Sequence, residues 1–300
     1  MNGSLIDEAS ATVSIRDTGL LHATGVFTTM LSRGAQVFRL PQHLSRLRES
    51  CQALSIPLKY SDSQLTAAVD DLLAKNSLTD ARLRLTVTGG AATEDPLHGM
   101  RFDPNCFLTA AQFQSYPTEL YERGMTVALL DEQKLNPYDI QAGHKTLNYF
   151  SRLAALRWAR RRAAGEALWF NVHNYLQSGS ISNVFLVKSG RLITPPTQAE
   201  IDADSSLRHE LPYPRSNVLP GITRRAILDS ATAINLQIQL TSINVDQLLS
   251  ADEVFLTNSI MQVMPVCRLE AHVVGSDRPG PVTMQLAESL SKLQNQSPPN

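Results

Sequence analysis

The sequence predicts an α+β protein of two domains. Its 300 residues are enough to build two separate cores. Two successive segments before residue 80 carry a helical apolar period, whereas strand-like apolar runs dominate the last 180 residues. Between them "QSYPTELYERG" changes character around Pro117. The expected division is an α/β domain over 1–113, a linker over 114–122, a strand-rich domain over 123–290 and a flexible tail over 291–300.

In chain order, "LPQHLSRLRESCQALSI" sets Leu40, Leu44, Leu47, Cys51 and Leu54 at steps of four and three, one apolar face of a helix. "SDSQLTAAVDDLLAKN" opens on a capping Ser61 or Asp62 and puts Leu65, Val69, Leu72 and Leu73 on one side. "RLRLTVT" alternates Leu83, Leu85 and Val87 with polar residues, and "NCFLTAAQF" follows as another strand. "MTVALL" is a strand leading to an Asn136-Pro137 loop. "TLNYFSRLAALRWARRRAAG" is expected to be helical up to Gly165. "EALWFNV" is a strand, and "NVFLVKSGRLITPP" is a hairpin turning at Ser189-Gly190. The polar stretch from Thr197 to Asn217 is expected to be a long loop. "GITRRAILDSATAINLQ" is a helix, and "EVFLTNSIMQVMPV" holds two strand-like runs around a Thr257-Asn258-Ser259 break.

Composition excludes several classes of function. The formal net charge is −1, without the basic footprint that nucleic acid or an anionic membrane requires. "RWARRR" follows a helical pattern and is a solvated face. Cys51, Cys106 and Cys267 are widely spaced, the seven histidines form no HExxH pair, and no metal site is expected. No apolar run reaches membrane-spanning length and no secretory leader pattern opens the chain, so a cytoplasmic protein is expected.

Four short stretches can carry chemistry. Lys145 stands in "AGHKTLNYF" before a helical pattern. "LPGITRR" puts Gly221, Ile222 and Thr223 at a helix start, where unpaired amides and the helix dipole favour an anion. "TNSIMQVMPV" offers Asn258 and Ser259 as a second anion cradle. "HLSRLR" puts Arg46 one turn after His43. A fifth stretch, "YLQSGSISNVFLV", inserts a polar run between apolar segments that is too long for a plain hairpin turn. Each alone is ordinary. In this order, from about Ser14 to Val274, they resemble the class IV pyridoxal-phosphate enzymes of fold type IV: branched-chain aminotransferase, D-amino-acid aminotransferase and aminodeoxychorismate lyase.

The resemblance implies an N-terminal α/β sandwich, a C-terminal pseudo-barrel domain that binds pyridoxal 5′-phosphate, and a homodimer acting on a small amino substrate. It makes Lys145 the residue that carries the cofactor covalently. Arg46, Gly221, Ile222, Thr223, Asn258 and Ser259 become phosphate ligands, Asn183 the asparagine of the polar run, and Phe27 the aromatic residue beside the cofactor. Thr29 joins Phe27 at the substrate side. The polar run then wraps the cofactor ring. The family's usual glutamate, five residues before that asparagine, is Ser178 here, a neutral hydroxyl where a carboxylate keeps the pyridine nitrogen protonated. The acidic "GDG" is replaced by Ala23-Thr24-Gly25. The "SRG" arginine is absent from Thr88-Gly89-Gly90, for which Arg101 is the substitute considered. The 196–219 segment is longer than usual.

"GVFTTM" and "NSIMQVMPV" are similar to the lyase stretches, so the reaction expected first is cleavage of 4-amino-4-deoxychorismate to 4-aminobenzoate and pyruvate in folate biosynthesis. A branched-chain or D-amino-acid aminotransferase is the alternative. A protein of this fold with altered or lost catalysis, because of Ser178, is the third.

Overall fold

Why the first third folds as it does is visible in its alternation. The computed structural model describes residues 1–95 and 99–295, with backbone alone at 93–95 and 99–101. The chain separates into two units, Met1–Gln114 with His144–Tyr149, and Ser115–Gly143 with Phe150–Asn300.

In the first unit, α1 (Thr18–His22) leads into β1 (Gly25–Arg33) and the short β2 (Gln36–Val37). Two amphipathic helices follow, α2 (Leu40–Ala53) and α3 (Asp62–Lys75), then β3 (Ala81–Thr88), the ribbon β4 (Ala91–Asp95) and β5 (Gly99–Asp103), and β6 (Cys106–Gln112). The sheet runs β2-β1-β3-β6, all antiparallel. Val26, Met30, Leu83, Leu85 and Val87 meet Leu44, Leu47, Cys51, Leu65, Val69 and Leu73 in one core. Ser61 caps α3 and Gln64 returns the bond, a reciprocal capping box that contributes about 1 kcal/mol.

In the second unit, α4 (Thr118–Arg123), β7 (Met125–Leu135), α5 (Phe150–Arg160), β8 (Glu166–Asn171), β9 (Leu176–Gly179), β10 (Asn183–Lys188) and β11 (Arg191–Thr194) come first. Two short helices, α6 (Gln198–Ala203) and α7 (Ser205–Glu210), precede α8 (Ile222–Ala233), β12 (Gln237–Leu240) and α9 (Val245–Leu249). The chain then forms β13 (Glu253–Asn258), β14 (Gln262–Leu269), β15 (His272–Val273) and α10 (Pro281–Asn295). The sheet order is β12-β11-β10-β13-β14-β7-β8-β9, with β15 on β14. Residues 180–182 alone join β9, the last strand, to β10, the third, and Gly179 N donates to Ser182 O at 2.9 Å. A turn that short requires the sheet to curl into a half-barrel. The cross-strand pair Phe185 and Phe255 stacks at 4.9 Å on the face opposite the core formed by Val184, Leu186, Val254 and Leu256.

The structure corrects four expectations. The segment 114–122 is not a free linker: α4 forms there, Leu120 and Tyr121 pack on the second unit's core, and Tyr121 donates to Met261 O at 3.0 Å. The expected loop from Thr197 holds α6 and α7, because Thr197 and Glu200 form a capping box and Asp204 caps the next helix. Arg224 of α8, 2% exposed, grips Glu200 with bonds of 2.8 and 2.9 Å and also donates to Pro195 O. Helix α5 begins only at Phe150, since His144–Tyr149 belongs to the first unit. The C-terminal helix runs to Asn295, and 296–300 lie outside the described residues.

Gly124 closes α4 at φ +79° and ψ 154°, a region only glycine adopts easily, and an added Cβ would lie 2.1 Å from Cys267 Sγ. Gly124→Ala is expected to lower stability by about 2–4 kcal/mol, measured as a shift in the urea midpoint at unchanged m-value.

Candidate active site

In the first unit the lysine is held by a sheet edge rather than by a helix. Phe27 N donates to Lys145 O and Leu147 N to Gly25 O, both at 2.9 Å, and Val26 bridges Thr146. This adds His144–Leu147 to the free edge of β1 and sets Lys145 opposite Phe27. Lys145 Nζ lies 4.6 Å from the Phe27 ring centroid and donates to Tyr149 OH at 3.0 Å. Phe27 and Tyr149 meet edge to face at 5.3 Å. Arg84, opposite Thr29 on β3, stacks its guanidinium 3.6 Å from the centre of Phe27. Burial lowers the Arg84 pKa.

Arg46 is buried and donates to Thr28 Oγ1 at 3.0 Å; the same oxygen lies 2.8 Å from His43 Nδ1. Burial brings the Arg46 pKa down to about 10, so it remains a cation at neutral pH. Burial, followed by the charges of Arg46 and Lys145, pushes His43 well below the ordinary histidine range. Thr28 Oγ1 and the neutral His43 Nδ1 share one hydrogen bond whose direction is set by the His43 tautomer. The structure thus brings Lys145, Phe27 and Arg46 into one neighbourhood of the first unit. Thr29 lies on the Phe27 side of β1 by strand alternation. Arg101 pairs with Thr93 through the backbone, and its side chain lies outside the described residues.

The second unit collects the rest. Helix α8 starts at Gly221 with no side chain capping it, yet Ile222 and Thr223 are buried. A buried helix start without a cap calls for an anion on its amides. Asn183 Nδ2 donates to Leu219 O at 2.9 Å, and its Oδ1 would be 2.0 Å from a Cβ at position 221, so only glycine fits there. Asn183 pairs with Thr257, whose buried Oγ1 has no hydrogen-bond partner among the described residues. Asn258 donates to Ile181 O and accepts from the amides of Ile260 and Met261, so it ties the polar run to the turn that carries Ser259. These residues fit a phosphate: buried amides, a glycine-lined approach and an unmatched hydroxyl.

The polar run is organised by a residue that sequence reasoning missed. Glu166, fully buried at the start of β8, accepts from Ala167 N and Ser180 N at 3.0 Å, from Ile181 N at 3.2 Å and from Ser182 Oγ at 3.0 Å. Burial raises its pKa and these four donors oppose the rise. Ser178 is buried on β9 opposite Trp169, and Arg152 Nη1 lies 3.4 Å from its Oγ. Tyr149, Arg84 and Arg152 were also missed. The one sequence signal among them was Tyr149, four residues after Lys145.

The class IV aminotransferase family matches residues 25–269, and the chain belongs to it. It is 28% identical over 298 residues to the branched-chain-amino-acid aminotransferase of Salmonella typhimurium, covering 97% of this chain and 91% of that one. The D-alanine aminotransferase of Bacillus licheniformis is 27% identical, over 96% of this chain and 94% of its own. The crystal structure of the Escherichia coli branched-chain amino acid aminotransferase superposes with a TM-score of 0.86 at 27% identity, covering 97% and 92% of the two chains. The protein is therefore a fold type IV enzyme whose cofactor is pyridoxal 5′-phosphate.

Two outcomes are expected. His43 holds no proton when folded but takes one up near pH 6.5 when unfolded. The unfolded state therefore binds more protons below that pH, and stability falls with falling pH by up to about 1.4 kcal/mol per unit. Denaturant titrations between pH 7 and 5 should show this slope, and His43→Gln should flatten it. Gly221→Ala should displace Asn183 and weaken cofactor binding at least about tenfold, about 1.4 kcal/mol, measured by equilibrium dialysis.

Proposed function

We propose that the enzyme is a lyase that converts 4-amino-4-deoxychorismate to 4-aminobenzoate and pyruvate. The observation that carries this reading is Ser178: where a carboxylate would face the pyridine nitrogen, the chain has a hydroxyl with an arginine against it. An aminotransferase needs a strong electron sink. A reaction that expels pyruvate and makes an aromatic ring has a driving force of its own and tolerates a weaker one.

In this reading Lys145 carries the cofactor, and the α8 start with Asn258, Ser259 and Arg46 binds its phosphate. When bound, pyridoxal phosphate supplies an electron-withdrawing ring conjugated to the substrate nitrogen. Tyr149 OH, 3.0 Å from Lys145 Nζ, orients the amine over Phe27. The amine of Lys145, freed once the substrate's own amine takes its place, would remove the proton from the substrate carbon next to nitrogen. The electrons released complete the aromatic ring as the carbon–oxygen bond to the enolpyruvyl group breaks. The proton now on Lys145 matches the one that the departing enol needs to become pyruvate. Phe27 and Tyr149 form an apolar wall beside the reacting carbon. Arg84, a half-buried cation on Phe27, is the group placed to bind a substrate carboxylate in the role first considered for Arg101.

The second reading is amino-acid transamination, favoured by the names and 27–28% identity of the two relatives. Purified holoenzyme is incubated with aminodeoxychorismate and, separately, with pairs of amino and oxo acids. Formation of 4-aminobenzoate and pyruvate, with transamination at least about a hundredfold slower, is the expected result. Transamination at ordinary enzyme rates, about 1–1000 per second, together with no 4-aminobenzoate, overturns the reading. Lys145→Ala should lose at least about a thousandfold in turnover.

A further inference from the structure

We infer that Arg152, acting through Ser178, keeps the ring nitrogen of the bound cofactor unprotonated. This rests on the reading above, in which Ser178 faces that nitrogen, and it names the residue that determines the electronic state of the site.

Among the described residues, the charged groups that bond to the run Ser178–Ser182 come from two elements. Helix α5 supplies Arg152. Its Nη1 donates to Gly179 O at 3.1 Å and to Ser180 O at 3.2 Å, and lies 3.4 Å from Ser178 Oγ. Strand β8 supplies Glu166, and also the neutral Trp169, whose Nε1 donates to Ser180 Oγ at 2.9 Å. Glu166 is the one acid bonded to this run among the described residues, but it cannot replace the missing carboxylate. Both its oxygens are taken by Ala167, Ser180, Ile181 and Ser182, beyond Gly179 and away from Ser178. It is also packed beneath Gly179, where an added Cβ would lie 2.9 Å from its carboxyl carbon.

The group at Ser178 is therefore a cation. With Oγ accepting from Arg152, the hydroxyl proton of Ser178 is left to donate outward, and an unprotonated ring nitrogen is an acceptor. A protonated nitrogen would be a second cation held to the same buried oxygen as a guanidinium, and like charge disfavours the charged form. Arg152 is a positioning residue: it sets the direction of the Ser178 hydroxyl and the sign of the local charge.

The test reads the nitrogen directly. Apoprotein is reconstituted with pyridoxal phosphate carrying 15N in the ring, and the nitrogen resonance is followed by NMR between pH 6 and 8.5. Retention on Lys145 is checked by borohydride reduction and peptide mapping. The wild type is expected at the unprotonated position throughout. Arg152→Gln should move the resonance toward the protonated position at the acidic end, and Arg152→Lys, which keeps the charge, should restore the wild-type position. Ser178→Glu, whose carboxylate neutralises the guanidinium, should also move it and serves if Arg152→Gln does not fold. A protonated wild type overturns the inference. So does an Arg152→Gln protein that melts earlier with the resonance unmoved, since Arg152 would then only brace the turn. Failure to retain cofactor on Lys145 overturns the parent reading, and this one with it.

Discussion

A single buried carboxylate organises the second unit. Among the described residues Glu166 has no cation against it and is instead answered by three backbone amides and one hydroxyl. Removing a carboxylate from water costs several kcal/mol unless hydrogen bonds replace the lost hydration. Four donors replace it here, and three of them come from Ser180, Ile181 and Ser182. The turn must therefore take the one conformation that aims these donors inward. That conformation fixes where β10 begins and so places Asn183 against Gly221 and Thr257. The polar run between two apolar segments is the complement of an acid fourteen residues earlier.

Two tasks meet in this stretch of the chain, holding the turn and facing the cofactor. A carboxylate in this stretch is expected to serve the cofactor. Here the carboxylate serves the turn, and the position expected to hold an acid has Ser178 beside Arg152. In the first unit Arg46 and Arg84 lie near Phe27 and Tyr149, and in the second Arg152 bonds to the polar run. Such a set suits anionic groups: a phosphate at one position and a substrate carboxylate at another.

What was legible in the sequence follows the range of the interactions involved. The faces of α2 and α3, the Ser61 cap and the Ser189-Gly190 turn depend on residues within one or two turns of each other, and all were readable. The Thr197–Glu200 capping box was equally local, but the prolines and polar residues around it led to the expectation of a loop. Glu166 opens an apolar strand, and its burial depends on a turn that the sequence places elsewhere. Arg152 sits in an amphipathic, arginine-rich helix where nothing local distinguishes it from solvated neighbours. Lys145 looked like a residue leading into a helix, because the β1 edge that claims it is more than a hundred residues away. The residues expected at the site stand in short local motifs; the interactions that orient them are long-range.

The attachment of Lys145 to β1 has an evolutionary consequence. The bonds that hold it run between main-chain atoms, Phe27 N to Lys145 O and Leu147 N to Gly25 O. Main-chain bonds are indifferent to side-chain identity. Mutation can therefore rewrite the side chains at positions 27 and 29 without moving the main chain that carries Lys145. Anchorage through the main chain leaves the Phe27 face of β1 free to vary while the segment around Lys145 keeps its register.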